Sequence, residues 1–196
     1  MFSLRRMSRT TVLACLLAAA VGGACARPQT PAPVLAPTPA SSPRAALPAD
    51  LAGVLNASQP EPQLLVSGQP TAAQIAAAGH AGYKTVIDLR APTEDHGFDE
   101  KAASEAAGMV YENLPVSPPT LDAATLDRFI ALFRDATRPV LLHCATANRA
   151  GALYYAWLVL EKGVAPDAAL QRAAAAGLKH QELVTRIQAV VAAHPR

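Results

Sequence analysis

From residue 62 onward, two kinds of apolar pattern take turns along the chain. Short runs rich in leucine, β-branched and aromatic residues, the make-up of strands, lie between longer stretches whose apolar residues recur at helical spacing. PQLLVSGQP (62–70) reads as a short strand with a turn at Gly68. TAAQIAAAG (71–79) reads as a helix, with Thr71 as N-cap, Gln74 completing a capping box three residues later, and Gly79 as the stop. YKTVIDL (83–89) is the second strand, and after the loop RAPTEDHG the segment FDEKAASEAAG (98–108) is helical and ends in Gly108. MVYENLPV (109–116) is the third strand and SPPT a turn.

In LDAATLDRFIALFRDAT (121–137), Leu126, Phe129, Ile130 and Phe133 share one face, which predicts a helix with its aromatics in the core. PVLLHC (139–144) is the fourth strand, unbroken in apolar character as a central parallel strand covered on both faces should be. Three helices follow, RAGALYYAWLVLEKG, DAALQRAAAAG and HQELVTRIQAVVAAH. Strand and helix alternate four times before that block. This predicts an α/β fold: a mostly parallel sheet of four to five strands flanked by helices, with right-handed crossovers and a C-terminal helical block.

Composition changes the picture mainly at the front. With 196 residues, a formal charge of +2 and 51% apolar residues, the chain suits one ordinary domain plus a leader. Residues 1–26 have a basic start (Arg5, Arg6, Arg9), an apolar stretch from Thr11 to Val21 and small residues at Ala24, Cys25 and Ala26, the layout of an export signal. The apolar stretch is shorter than the about 20 residues a spanning helix needs. Two processing routes fit: cleavage after Ala26, or a lipoprotein signal over 1–24, with GGAC as the end of a lipobox and Cys25 carrying the lipid. Arg5 and Arg6 raise a twin-arginine route, but their flanks match it poorly. Residues 27–49 are a proline-rich linker, with seven prolines between Pro28 and Pro48, and at ~3.1 Å per residue it would reach roughly 60 Å from a lipidated end. The expected protein is exported and periplasmic, either soluble or tethered to the membrane through Cys25, with its folded domain over 50–196. Nothing in the charge pattern suggests nucleic acid as a partner.

Of the three cysteines, Cys15 and Cys25 belong to the leader, so Cys144 is the single thiol of the domain and no internal disulfide is expected. A lone thiol in an oxidising compartment is either buried or used. Ligands of open α/β sheets bind beyond the carboxyl ends of the strands, and LLHC ends there, with a helix beginning at about Arg149. The intervening Ala145, Thr146, Ala147 and Asn148, with Ala150, would aim backbone N–H groups and a helix N-terminus at an anion above Cys144. Such a field favours thiolate over thiol, making Cys144 a nucleophile. Arg149 adds a planar fork of donors for an oxyanion, at a helix end where a cation is otherwise disfavoured. Asn148 suits loop shaping because asparagine tolerates left-handed backbone. His80, His96, His180 and His194 lack ligand spacing, so neither metal nor cofactor is expected.

HCATANR, between a buried strand and a helix, resembles the signature loop of the cysteine-dependent protein tyrosine phosphatase superfamily. SGQPTAAQIAAAGHAGYKTVIDLRAPTE resembles one branch of it, the beta-lactamase-hydrolase-like, phosphatase-like domain family, and the match runs over about 64–160. The resemblance implies a phosphatase-like fold, Cys144 as nucleophile, Arg149 as anion clamp and His143 as the residue that sets the cysteine's surroundings. Three departures stand out. Four residues separate Cys144 from Arg149 where the superfamily has five, Ala150 replaces the usual hydroxyl, and no general acid is plain. Asp122 is the candidate acid, although it also sits where a helix would want an N-cap; Glu94 and Asp95 lie beyond a strand end, and Arg90 with Glu94 reads as a supporting ion pair.

Two activities follow, each with an anionic substrate. The first is hydrolysis of a phosphorylated compound through a phosphocysteine. The second is sulfur transfer from a sulfane-sulfur compound through a persulfide on Cys144, which the four-residue spacing, similar to that of rhodanese-like enzymes, would suit. A non-catalytic anion-binding module is the third reading.

Overall fold

A computed structural model describes residues 49–194. The export-signal reading and all but the last residue of the linker reading fall on residues 1–48, outside the described residues. The elements run α1 (Ala49–Ala52), β1 (Ser58–Glu61), β2 (Leu64–Ser67), α2 (Ala72–His80), β3 (Thr85–Asp88), α3 (Glu100–Ala106), β4 (Val110–Asn113), α4 (Ala123–Asp135), β5 (Val140–His143), α5 (Asn148–Leu160), α6 (Pro166–Ala175) and α7 (Gln181–Ala193).

The five strands form one sheet in the order β1-β2-β5-β3-β4. β5 lies parallel between β2 and β3, β4 is parallel to β3, and β1 alone is antiparallel. Every residue of β2, β3 and β5 is buried, as apolar strands covered on both faces require. Side chains alternate between two cores. Leu64, Val66, Ile87, Val140 and Leu142 face the core built with α4 to α7, whereas Leu65, Val86 and Leu141 face the core beneath α1 to α3. The register sets one row across the carboxyl ends, in which Ser67 and Asp88 are both level with His143. Asn113 is level with Asp88 in the same row.

The expected mostly parallel sheet flanked by helices is the observed one, with differences at its margins. β1 and α1 were not anticipated: β1 is a four-residue edge strand interrupted by Pro60, a residue tolerated only where the ladder is open on one side. Thr71 caps α2 and forms the complete capping box with Gln74. Gly79 does not end that helix, which continues to His80; a Cβ at Gly79 would lie 2.5 Å from the Ala107 carbonyl oxygen, so the residue serves close packing of α2 on the end of α3. α5 is apolar all round and buries every residue from Ala150 to Val159. It packs against α4, α6, α7, β2 and β5, the position of a central pillar.

Candidate active site

β5 ends at His143, and Cys144 is the first residue of the turn into α5, with its N–H bonded to the Ser67 carbonyl at 3.3 Å. Cys144 is only 1% exposed. The turn is fastened from both sides. Gln69 N–H donates to the Ala145 carbonyl at 3.1 Å and Asn56 Nδ2 to the Thr146 carbonyl at 3.2 Å. On the far side Asn148 Oδ1 accepts from the N–H groups of Lys179 (2.7 Å) and His180 (2.8 Å), while its Nδ2 donates to Thr146 Oγ1 at 3.2 Å. These bonds occupy the carbonyls of Ala145 and Thr146.

α5 begins without a side-chain cap. Its N-cap is Ala147 in the left-handed region (φ 69°), a conformation that costs a non-glycine residue about 1–2 kcal/mol. The strained residue is therefore Ala147 and not Asn148, which instead opens the helix and clamps the α6–α7 connection. Ala147 is held by close packing: a Cβ at Gly177 would lie 2.5 Å from the Ala147 Cβ, and one at Gly151 would lie 2.7 Å from the Leu178 nitrogen. Gly151 N–H bonds the Ala147 carbonyl at 2.8 Å, so Asn148, Arg149 and Ala150 supply the first-turn N–H groups that no helical carbonyl can satisfy. The side chains of Ala147 and Ala150 are buried, so any contact they make with an anion is through the backbone. Thr146 is exposed and bonded to Asn148.

Arg149 is half-buried and meets Glu94 end-on: Nη1 to Oε1 at 2.6 Å and Nη2 to Oε2 at 2.7 Å. Nη1 also donates to the carbonyls of Val116 (3.1 Å) and Leu89 (3.4 Å). Glu94 and the two carbonyls do not take up Nε or the second Nη2 hydrogen, the side-on fork that fits an oxyanion bidentately, and Cys144 is a further hydrogen-bond partner of this guanidinium. The hydrogen bonds with Glu94 raise the Arg149 pKa against the effect of burial, and Cys144 adds to the rise. The same hydrogen bonds hold Glu94 down at about 2. Glu94 thus belongs to Arg149, separated from it by 55 positions in sequence, and not to Arg90 as local spacing suggested.

Arg90 has other partners. Its Nε and Nη2 donate to the two oxygens of Asp88 at 3.0 Å each, and Nη2 also contacts Glu100 Oε2 and His96 Nδ1. Tyr111 OH donates to Asp88 Oδ2 at 3.0 Å, and burial, together with that carboxylate, pushes the phenol's pKa up. Burial opposes the charge of Asp88, but the bond from Arg90 and the nearness of His143 outweigh it and keep its pKa below the usual value. His143 Nε2 lies 2.9 Å from Glu100 Oε1 and 3.8 Å from Asp88 Oδ1. Asp88, Arg90, Glu100 and His143 are all buried. Asp88, His96 and Glu100 bring possible metal-ligand atoms within 4.8 Å of one another, but the Arg90 guanidinium already lies in contact with all three. An open cleft of about 590 Å³ runs along the outside of this cluster, lined by Glu94, His96, Asp99 and Tyr111 among others; Cys144 does not line it.

The turn thus gathers Cys144, Ala145 to Ala150 and Glu94, with His143 directly below. Asp122 serves instead as the N-cap of α4, accepting from Thr125 N–H at 2.8 Å, and that bond lowers its pKa. Sequence reasoning missed Glu100 and Asp88. Asp88 gave a signal, a carboxylate inside the apolar run TVIDL. Glu100 gave none, because an acid in a helix's first turn is ordinary.

A profile of the family described as DSP-PTPase phosphatase fused to NAD+ kinase matches residues 50–189. A beta-lactamase hydrolase-like protein of Agrobacterium fabrum is 36% identical over 96 residues, 47% of this chain and 22% of its own length. One from Xylella fastidiosa is 30% identical with the same coverage. The chain therefore spans about a fifth of the length of the curated relatives it matches. Among solved structures, a phosphatase candidate from Shewanella putrefaciens superposes with a TM-score of 0.62 at 24% identity, over 75% of this chain and 98% of that one. One from Neisseria meningitidis gives 0.58 at 26%, over 67% and 96%. TpbA of P. aeruginosa, in complex with phosphotyrosine, gives 0.57 at 23%, over 71% and 85%.

Proposed function

Because this chain belongs to the family described as DSP-PTPase phosphatase fused to NAD+ kinase, and has a protein tyrosine phosphatase-like fold, we propose that it hydrolyses phosphoric monoesters through Cys144. The observation that carries the reading is the pairing of Cys144 with an uncapped helix N-terminus and with Arg149, whose side-on edge Glu94 does not take up and whose guanidinium hydrogen-bonds Cys144. The Cys144 thiolate attacks phosphorus, the S–P bond forms as the bond to the leaving oxygen breaks, and Arg149 with the N–H groups at the start of α5 holds the remaining oxygens. Water then attacks phosphorus, the S–P bond breaks, and phosphate leaves with the thiolate restored.

Glu94 is ionised and bound to Arg149 at neutral pH, and Asp122 is engaged as a cap, so neither is placed to give the leaving oxygen a proton. The reading therefore favours aryl phosphates, whose phenolate departs without one. The test is turnover of an aryl phosphate by the protein and by Cys144→Ser. Activity that depends on Cys144 supports the reading, and turnover that survives the substitution sinks it.

The four-residue spacing between Cys144 and Arg149 favours a second reading, sulfur transfer. The Cys144 thiolate would take the sulfane sulfur of thiosulfate, releasing sulfite, and pass it from the persulfide to cyanide as thiocyanate. A parallel assay with thiosulfate and cyanide separates the two.

A further inference from the structure

Two clefts lie beside residues that are bonded to the cysteine turn, and their charges differ. The one on the α3 side, described above, has the carboxylates of Glu94, Asp95, Asp99 and Glu100 in its walls against a single lysine, Lys101. The other encloses about 630 Å³ between a turn at Pro118 and Pro119 and one face of α7, which supplies Gln181, Thr185, Arg186 and Ala189. Positions 181, 185 and 189 follow one another at helical spacing, so this wall is about 12 Å long. Leu183, Ile187 and Val191 of the same helix are buried in the core.

Both walls of the second groove are fastened to the site. The Val116 carbonyl, two residues before Pro118, accepts from Arg149 Nη1 at 3.1 Å. The His180 N–H, directly before Gln181, donates to Asn148 Oδ1 at 2.8 Å. The proline turn is closed by Ser117 N–H to Thr120 Oγ1 (2.9 Å) and Thr120 N–H to the Ser117 carbonyl (3.1 Å), and two successive prolines leave it little freedom. Arg186 ties the walls together, its Nε donating to the Leu121 carbonyl at 2.8 Å. That bond anchors the guanidinium and leaves Nη1 and Nη2 without a partner among the described residues. Glu182 is the groove's one carboxylate, and among the described residues no ion pair joins it to Arg186. Cys144 does not line the groove, so a phosphoester held at the cysteine turn would enter it only with the part remote from phosphorus.

We propose that this groove takes the organic part of the substrate, and that Arg186 is a specificity-determining residue that selects aryl phosphates carrying a carboxylate on the side of the ring away from the phosphate. The proposal rests on the phosphatase reading of Cys144 and names the substrate class of that site. A guanidinium with both Nη groups open gives a carboxylate two parallel N–H bonds. The proline rings give the arene an apolar surface. The same carboxylate in the α3-side cleft would face four groups of its own sign, so charge as well as shape sends it to the α7 side.

Binding is measured first, because it needs no turnover. 4-Carboxybenzylphosphonate and its longer biphenyl homologue, each beside its neutral carboxamide counterpart, are titrated into the wild-type protein and followed by amide NMR. The expected result, at one of the two lengths, is a Kd about fivefold lower for the carboxylate than for the carboxamide, with shifts at Gln181, Thr185 and Ala189. Arg186→Met should make the two affinities equal. No binding, no preference at either length, shifts confined to the α3-side cleft, or a preference kept in a folded Arg186→Met variant overturns the proposal. Should that variant fail to fold, the wild-type affinities and shift map decide. The matching aryl phosphates are then assayed, and the same preference should appear in kcat/KM, carried by KM. Binding in the groove by a protein that turns over neither ester would sink the phosphatase reading and leave the groove standing, whereas turnover of both esters at equal kcat/KM would sink this proposal and leave that reading intact.

Discussion

Arg90 and Arg149 are both paired with carboxylates at the carboxyl edge of the sheet, and they differ in what is left over and who can reach it. Arg90 is 1% exposed and enclosed by Asp88, Glu100 and His96; its one unpartnered nitrogen, Nη1, is itself buried. Arg149 is 14% exposed and tied to Glu94 by one edge, and its guanidinium also hydrogen-bonds Cys144. Two arginines of the same charge thus do different work. Enclosure makes the first part of the scaffold, and access leaves the second able to meet a ligand.

That contrast breaks most severely if Arg90 proves dispensable. Arg90→Met leaves Asp88 and Glu100 buried without their guanidinium and is expected to cost about 3–5 kcal/mol, read as a fall in the urea unfolding midpoint. A loss below about 1 kcal/mol would mean that the centre holds no structural role. Arg149→Lys keeps the charge beside Glu94 but loses the planar fork, so the aryl phosphate kcat/KM should drop about 10²- to 10³-fold with the unfolding midpoint nearly unchanged. An equal loss of stability in both variants would erase the distinction.

The smallest effect is a pH dependence. Glu94 has its pKa lowered from 4.5 to about 2 by Arg149, so its share of stability is complete above pH 4.5 and disappears as pH falls through about 2. Acid unfolding of the wild-type protein should be steeper over that window than that of Glu94→Gln, in which nothing titrates at this position. Identical acid limbs would show that the pair contributes nothing to folding.

What could be read from sequence here was local. The capping box at Thr71, the apolar face of α4 and the unbroken run of β5 follow from residues within a few positions of one another, and each is present. β1 was hidden by Pro60 and α1 by its four residues, too few to show a period. The cysteine turn was legible because Cys144 and Arg149 are five positions apart. The carboxylate of that arginine was not, because Glu94 is brought to it by the parallel pairing of β3 with β5, and the nearer Arg90 offered a tempting local partner. Asn148 suits loop shaping by its tolerance of left-handed backbone, but the left-handed residue of the turn is Ala147, packed against Gly177.

α5 carries one more implication. Its first residue closes the cysteine turn, and its next ten buried positions are Ala150 to Val159, with no exposed face along which the helix could turn. Adding a fifth residue between Cys144 and Arg149 would therefore either bulge out of the turn or swing the helix by about 100° and carry Tyr154 and Trp157 into the wrong neighbours. Turn length and core packing are geared to each other, so the room above Cys144 is set as much by the far end of α5 as by the residues that line the turn.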